Sequence, residues 1–525
     1  MAAAHGTDHW KRRSVVSSFI FTSNEPDNDR PKVALFKRSD KVSTYRHHLA
    51  PISGSIESTD PSPVAAAWRE ISEETTLTPS NLTLLRRGKS YTFRDPSVKR
   101  EWTIHPFMFR LLSSQDEQSI KIDWEHQSWG WYDPDQVITD PSLNGVPKLA
   151  ESLRRVYFET DLGPQASPIL TGGLAKLAND HESGARELAA IAVKTLHDVT
   201  ASLEILDWNL IRLAAWHLSK NGRPSMGAAI TSALLTRLSG IKAKLDVDRT
   251  SSMEDLETTV LSSLSPQSLS TAQALSDITS SFVSYLHSSF PGRSSISILT
   301  LSSSSTILAV LSSIASHYTI DLRILESRPL FEGVSLSSSL LAPFASSGRT
   351  HKITLYPDTS PSFASLSRSN PGKSETKPVD MVLIGTDRLS PSGAVLNKTG
   401  SLPAVLTAKY LSSMTKTVVL SDTAKISQSK DSDEEQNDPS QIIRAWRASF
   451  NTERVRNAAD DLLHAQTNKS SHGKVEVEVK NIFFEWVPGD LIDAYITEKG
   501  RWTVTDIAQR VEDLVKEEDD VFGDL

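Results

Sequence analysis

The sequence predicts an α/β protein. A mixed α/β region comes first, a mostly helical region follows, and a parallel sheet with helices on both faces closes the chain. Three observations carry that expectation. β-rich runs separated by turn residues open the chain. Apolar residues recur at helical spacing from about residue 177. From residue 289, short β runs alternate with helical ones, the pattern of βαβ units.

The elements follow in order. Residues 1–13 read as a flexible tail. "SVVSSFIFTS" and "KVALFKRS" are strand-like and are separated by the turn-prone "NEPDNDRP". "VAAAWREISEE" is helical by propensity, and either Ser62-Pro63 or Asp60-Pro61 could start it with a cap and a proline in the first turn. "WTIHPFMFRLL" is a further strand, and "HQSWGWYDPDQV" a short strand running into a turn. These make a domain over 14–160. "GPQASPILTGG", rich in Gly, Pro and Ser, reads as a linker over 161–176. "GARELAAIAVKTLHDVTASL", "WNLIRLAAWHLSK" and "MGAAITSALLTRLSGIKAKL" carry helical spacing and define a helical subdomain over 177–288. "SISILTL", "DLRILES", "HKITLYP", "VDMVLIG" and "TVVLSD" are the strands of a parallel-sheet subdomain over 289–525. "SQSKDSDEEQNDPSQ" and "QTNKSSHGK" interrupt it as polar loops.

Composition narrows the function. With 525 residues the chain has room for two to four domains at roughly 100–200 residues each. A net charge of −8 argues against nonspecific nucleic-acid binding, which needs a basic surface. There are no cysteines, which excludes disulfides, thiolate nucleophiles, cysteine zinc sites and iron–sulfur clusters, and fits a reducing compartment. No apolar run reaches the ~20 residues that cross a bilayer. "MAAAHGTDHWKRR" has basic residues without the apolar core of a secretory signal, so the cytoplasm is the expected location.

One stretch stands out. "PISGSIESTDPSPVAAAWREISEETTL" places Glu70, Glu73 and Glu74 at i, i+3 and i+4 on one helix face, with Glu57 upstream. Like charges at that spacing repel. A hard divalent cation bridging to a phosphate would relieve the repulsion, polarise a phosphoryl group and activate water; the alternative is a solvated acidic face.

The ordered pattern resembles the Nudix box, G-x(5)-E-x(7)-R-E-U-x-E-E-x-G-U, where U is aliphatic. Gly54 matches its opening glycine, and Arg69, Glu70, Ile71, Glu73, Glu74 and Leu77 its second half. Asp60 stands in place of the first Glu, one extra residue precedes Arg69, and Thr76 replaces the last Gly. The resemblance implies an α/β/α sandwich on a mixed sheet and a Mg2+- or Mn2+-dependent hydrolase of a nucleoside diphosphate derivative. It also implies that Glu70 and Glu74 bind metal, that Glu73 binds metal or acts as base, and that Arg69 orients the glutamates. Glu57 would join the metal shell. Glu125, in "DWEHQSW", is a candidate further carboxylate, and "YRHHLAPISG" and "SYTFRDPSVKREW" are expected to line the pocket.

In the second half, "VDMVLIG" is a buried strand, and Asp387 and Arg388 follow its C-terminal end, where open α/β sheets place ligands. Asn397, Lys398 and Gly400 lie on a loop suited to an anion. Arg223 and Arg328 are phosphate candidates, because a guanidinium matches phosphate oxygens in pairs. The alternative for Asp387–Arg388 is a local ion pair closing a turn. Together "NGRPSMGAAI", "LESRPLFEG", "VDMVLIGTDRLSPSGAVLNKTGS" and "FFEWVPGDLIDAYITEKG" resemble the family that joins the α, β and δ subunits of translation initiation factor 2B to the sugar-phosphate isomerases acting on methylthioribose-1-phosphate or ribose-1,5-bisphosphate. The resemblance covers residues 177–525, implies a Rossmann-like sheet and self-association as a homodimer, and matches Asp387 to the isomerases' aspartate. Their cysteine falls at Ser302 or Ser303, their T-H pair reads Thr300-Leu301, and their R-G-A reads Ser183-Gly184-Ala185. A serine hydroxyl is a poorer proton donor or acceptor than a thiol, so isomerisation is not expected.

Three readings follow. The first is a Nudix pyrophosphohydrolase fused to an initiation-factor-2B-like domain that binds a sugar phosphate or nucleotide, or assembles. The second is a translation regulator with a non-catalytic Nudix sensor. The third is an aldose–ketose isomerase. Neither direct nucleic-acid binding nor membrane attachment is expected.

Overall fold

A computed structural model describes residues 10–23, 30–180, 183–247, 253–265, 271–368, 376–428, 436–449, 453–467 and 478–525. Most of the expected N-terminal tail and the middle of both polar loops lie outside these residues. The first strand, Lys11–Phe21, begins inside the stretch read as tail. Lys11 to Arg13 pair in register with Arg100 to Trp102, and Arg12 meets Glu101 at 2.9 Å.

The N-terminal sheet is mixed. Lys11–Phe21 runs parallel to Arg100–Leu111 and antiparallel to Val33–Arg38, which in turn pairs antiparallel with His126–Tyr132 and Leu49–Ala50. Period-two alternation splits its side chains between two cores. Val16, Ile20, Phe36 and Phe109 pack with Ala66, Ala67 and Ile71 of the helix Pro63–Thr75. Phe19, Phe21, Val33 and Leu35 pack on the other side with Val137, Ile138 and Leu153, from the short helices Pro134–Thr139 and Leu149–Arg154. The result is an α/β/α sandwich.

The stretch read as a linker is helical. Residues 161–176 lie within the helix Glu159–Asn179, broken only at Gly163, where φ is 71°. Proline at the restart suits the first turn, where its missing N–H costs nothing. Leu170, Leu174 and Leu177 are then buried at helical spacing. That burial outweighs the weak local propensity that composition reports. Helices Ala185–Ala201, Trp208–Lys220, Gly227–Val247, Met253–Leu264 and Thr271–Ser289 complete the bundle.

The C-terminal sheet has seven strands. In space they run Lys352–Tyr356, Thr319–Leu325, Ser295–Leu301, Met381–Ile384, Lys416–Leu420, Ala494–Thr497 and Gly500–Trp502. The first six are parallel and the last is antiparallel. In chain order that is 3-2-1-4-5-6, a doubly wound sheet whose order reverses between Ser295–Leu301 and Met381–Ile384. Met381 and Leu383 face one core, with Phe282 and Val310, while Val382 and Ile384 face the other, with Val405 and Leu514. Among the described residues no helix is long and apolar enough to cross a membrane.

The domains are joined by polar bonds as well as packing. Arg86 makes a two-pronged pair with Glu159 at 2.9 and 2.7 Å and lies 3.9 Å above the Phe158 ring. Asn221 bonds both the N–H and the C=O of Arg87.

Candidate functional site

The acidic helix starts as its residues dictate. Ser62 Oγ accepts from the Ala65 N–H at 3.2 Å, and Pro63 follows in the first turn. The helix ends at Thr76, whose φ of 62° is left-handed. A β-branched residue there costs on the order of 1–3 kcal/mol, partly offset by the bond from Thr76 Oγ1 to the Ser119 carbonyl at 3.0 Å.

Arg69 is the hub of the site. Its guanidinium donates to both oxygens of Asp60 at 3.1 and 2.9 Å, to Glu70 at 2.8 Å, to Glu73 at 3.2 Å and to the Ser55 carbonyl at 3.0 Å. Asp60 therefore pairs with Arg69 across the inserted residue, and its carboxyl also accepts from the Glu57 N–H at 2.8 Å. Gly54 is needed for close approach: a Cβ there would sit 1.9 Å from the Glu70 carboxyl carbon.

The four glutamates do not converge. Glu70 and Glu125 line one cavity of about 340 Å³, together with Arg13, Arg38 and Arg100. Both predicted pocket stretches contribute, through Tyr45 and Ser53 and through Phe93 and Trp102. Glu73 has a side chain 59% exposed and turns back to Arg69, four residues away. Glu57 is exposed and lies off the cavity. Glu74 is buried, and its Oε2 lies 2.6 Å from His126 Nε2.

Electrostatics separate these carboxyls. Burial raises Glu74 well above the usual carboxylate range, and the charges of Glu125, Glu70 and Asp123 add to it against Arg38. Glu70 and Glu125 are raised too, chiefly by burial. Burial lowers His126 to about 4. Burial thus disfavours both charged forms of the pair, the Glu74 carboxylate and the His126 imidazolium.

Among the described residues no three His, Asp or Glu side chains are gathered closely enough to hold a divalent ion. The chemistry of Glu70, Glu74 and Glu125 fits a hard cation: all three are carboxylates, Glu125 disfavours the charges of Glu70 and Glu74, and Glu70 that of Glu74. Glu74 would have to exchange His126 for the ion.

In the C-terminal half, the predicted residues fall into separate groups. Ser302, with φ of 65°, donates its N–H to Ser327 Oγ at 2.8 Å. Asn397 donates to Ser401 Oγ at 2.8 Å and lies beside Gly385. Lys398 is buried, pairs with Glu332 at 2.6 Å, and sits 5.1 Å from the Phe484 ring centre, the ring that also carries Arg223 at 5.4 Å. Arg328 turns to Glu326 at 2.9 Å and lies 5.0 Å from the Phe331 ring centre. Asp387 follows the strand Met381–Ile384 and takes its backbone N–H to the Leu396 carbonyl at 2.9 Å.

The family model described as Initiation factor 2 subunit family matches residues 181–504, more than half of the chain. The chain belongs to the initiation factor 2 subunit family. A NUDIX domain model matches residues 11–156. Three solved structures resemble this initiation factor 2 family member. Translation initiation factor eIF-2B of Pyrococcus horikoshii OT3 is 17% identical, with a TM-score of 0.41 over 63% of this chain and 96% of that one. The eIF2B β subunit of Chaetomium thermophilum is 16% identical, with a TM-score of 0.41 over 67% and 93%. The 5-methylthioribose 1-phosphate isomerase of P. horikoshii OT3 is 15% identical, with a TM-score of 0.42 over 66% and 87%. The comparison with curated proteins gave no match.

In this initiation factor 2 family member, a half-buried ionic group beside Asp387 was not anticipated from the sequence. Arg186 meets Asp422 at 3.1 Å, and Lys425 donates its ammonium protons to the Thr386 carbonyl. Burial lowers Lys425, opposed by the charges of Asp387 and Asp422. Arg186 stands three residues beyond Ser183, where the isomerases' arginine was sought, and "SDTAK" carries the other two.

Proposed function

We propose that the N-terminal domain is a Mg2+- or Mn2+-dependent pyrophosphohydrolase of a nucleoside diphosphate derivative, fused to an initiation-factor-2B-like domain for ligand binding or assembly. One observation supports it above the others: Glu70 and Glu125 share a cavity with three arginines. Guanidinium groups bind phosphate oxygens in pairs. Arg13, Arg38 and Arg100 would therefore seat the diphosphate, with Trp102 and Phe93 available to the rest of the substrate.

Glu70 and Glu74 would hold the ion, with the Glu125 carboxylate free beside them. When bound, the ion supplies charge neutralisation at the bridging phosphates and lowers the pKa of a water. Arg69 fixes Glu70 by the 2.8 Å bond and keeps Glu73 away from the cavity. Water attacks one phosphorus, the P–O bond to the bridging oxygen breaks, and two phosphate-ended products leave. Glu125, raised by burial and by the charge of Asp123 and facing the cavity, takes the proton of the attacking water.

A second reading, a non-catalytic Nudix sensor in a translation regulator, is favoured by the Glu74–His126 bond, which occupies a glutamate the chemistry needs. No isomerase step is assigned, because Ser302 offers only a hydroxyl. Self-association as a homodimer through the C-terminal domain is supported by Leu406, Tyr410 and Met414, exposed at helical spacing on and just beyond the helix Ser401–Leu411. The cysteine-free composition suits the cytoplasm.

The test offers the purified chain with magnesium a panel of nucleoside diphosphate derivatives. Release of nucleotide or phosphate supports the hydrolase. Thermal stabilisation by a nucleotide without release supports the sensor and overturns the hydrolase.

A further inference from the structure

Two walls of the Glu70–Glu125 cavity are tied together by Tyr45. One wall is the loop 39–48, which joins the strands Val33–Arg38 and Leu49–Ala50 and contributes Ser43, Thr44 and Tyr45. The other is the antiparallel pair Tyr91–Asp95 and Arg100–Leu111, which contributes Phe93, Arg100 and Trp102. Among the described residues, both hydrogen bonds between these walls run through the Tyr45 phenol. Trp102 Nε1 donates to its oxygen at 3.1 Å, and the phenol donates to Asp95 Oδ2 at 2.7 Å.

The strand pair is arranged to receive the phenol. Phe93 stands opposite Trp102 and Asp95 opposite Arg100, so these side chains share one face of the pair. Asp95 Oδ1 accepts from the Ser97 N–H and Oγ at 2.8 and 2.6 Å, which fixes the carboxyl and leaves Oδ2 to Tyr45. Burial, and then the bond to Asp95, raises the Tyr45 phenol, so it stays a donor at neutral pH. The loop bends to bring it there. Tyr45 and His47 take left-handed φ values of 53° and 62°, a region that side chains rarely adopt and that the surroundings must enforce. Arg38 anchors the loop from its other side: its backbone pairs with His47 and His48 at 3.0 Å, and its Nε donates to the Thr44 carbonyl at 3.2 Å.

The consequence falls on Trp102. An indole has one N–H donor, and here Tyr45 takes it, which fixes the angle of the ring. Trp102 is buried yet borders the cavity, so the part of the ring it offers there depends on that angle. We propose that Tyr45 is a positioning residue that acts through Trp102, holding the indole at the angle that receives the nucleoside arm of the substrate. The proposal rests on the reading of this cavity as a nucleoside diphosphate site, and it assigns Tyr45 to the nucleoside end rather than to the reacting phosphates.

The test is calorimetry on the full chain with magnesium. The probes are the α,β-methylene analogues of ADP and UDP, which resist cleavage, and methylenediphosphonate, which has no nucleoside. Tyr45→Phe keeps the ring and removes both bonds. It is expected to weaken the tighter of the two nucleotide analogues by about tenfold, the scale of a lost hydrogen bond. Methylenediphosphonate should keep its affinity within about twofold, which also reports that the variant is folded. Trp102→Phe should weaken the nucleotide analogue as well. Combining it with Tyr45→Phe should leave the affinity within about twofold of Trp102→Phe alone, because coupled residues are not additive. In turnover, Tyr45→Phe should raise KM more than it lowers kcat. The proposal is overturned if the wild type binds neither nucleotide analogue, or if Tyr45→Phe binds them as the wild type does. It is also overturned if methylenediphosphonate weakens as much as the nucleotide analogue, or if the two substitutions add in full. Binding of a nucleotide analogue without cleavage of any compound in the panel overturns the hydrolase reading alone.

Discussion

Glu74 and His126, 52 residues apart in sequence, meet at 2.6 Å with both side chains buried. The bond ties the last glutamate of the acidic helix to the start of the strand His126–Tyr132, and so holds the helix against the sheet. Removing the imidazole leaves a buried carboxyl without its partner. His126→Ala is expected to cost about 1–3 kcal/mol. Urea unfolding checks this, and an unchanged midpoint would mean that the bond contributes nothing.

Gly54 sets the position of Glu70. A single methyl there would occupy the space of the Glu70 carboxyl. Gly54→Ala is expected to leave the fold intact, with unchanged circular dichroism, and to lower turnover by about a hundredfold, the scale of an ångström-sized misplacement.

At the domain junction, Glu159→Ala strands the buried Arg86 guanidinium. Such a loss typically costs about 3–5 kcal/mol. Calorimetric melting should show a large drop in Tm, whereas a shift of under a degree would show that Phe158 and the Val156 carbonyl suffice to hold the cation.

His217 should set part of the acid sensitivity. It is fully buried between Phe158 and Trp216, its Nδ1 accepts from Asn221, and burial lowers it to about 3. Above the ordinary value of about 6.5 both states are neutral and its contribution is flat. Between about 6.5 and 3 the unfolded chain binds a proton that the folded chain refuses. Stability therefore falls with acid, by up to about 1.4 kcal/mol per pH unit. His217→Gln should show a shallower loss over that window, and identical slopes would remove the assignment.

Tyr410, 90% exposed, projects from the helix Ser401–Leu411 in line with Leu406. If that face pairs two copies, Tyr410→Glu should halve the mass seen by sedimentation while leaving the fold unchanged.

Much of the N-terminal site was legible because its parts are local. Ser62-Pro63 was one of the two helix starts the sequence offered and is the one used, and Arg69 reaches Asp60, Glu70 and Glu73 within nine residues. Thr76 was legible as a replacement for glycine, and its left-handed φ of 62° became visible only in the structure. What stayed hidden is non-local. His126 reaches Glu74 only through the sheet, and Arg186 finds Asp422 across 236 positions. The arginines facing Glu70 come from three strand regions, whose register the sequence alone does not state. The helix over 161–176 was misread because Gly163 and Pro164 resemble a linker, and the burial of Leu170, Leu174 and Leu177 becomes visible only once the bundle is assembled.

The most direct measurement is the rate at which the chain with magnesium cleaves a nucleoside diphosphate derivative, compared with Glu125→Gln under the same conditions. A hydrolase that uses this cavity should lose about 10²–10⁴-fold in turnover when the proton acceptor goes. Equal rates in the two proteins, or no cleavage by the wild type of any compound in the panel, would contradict it.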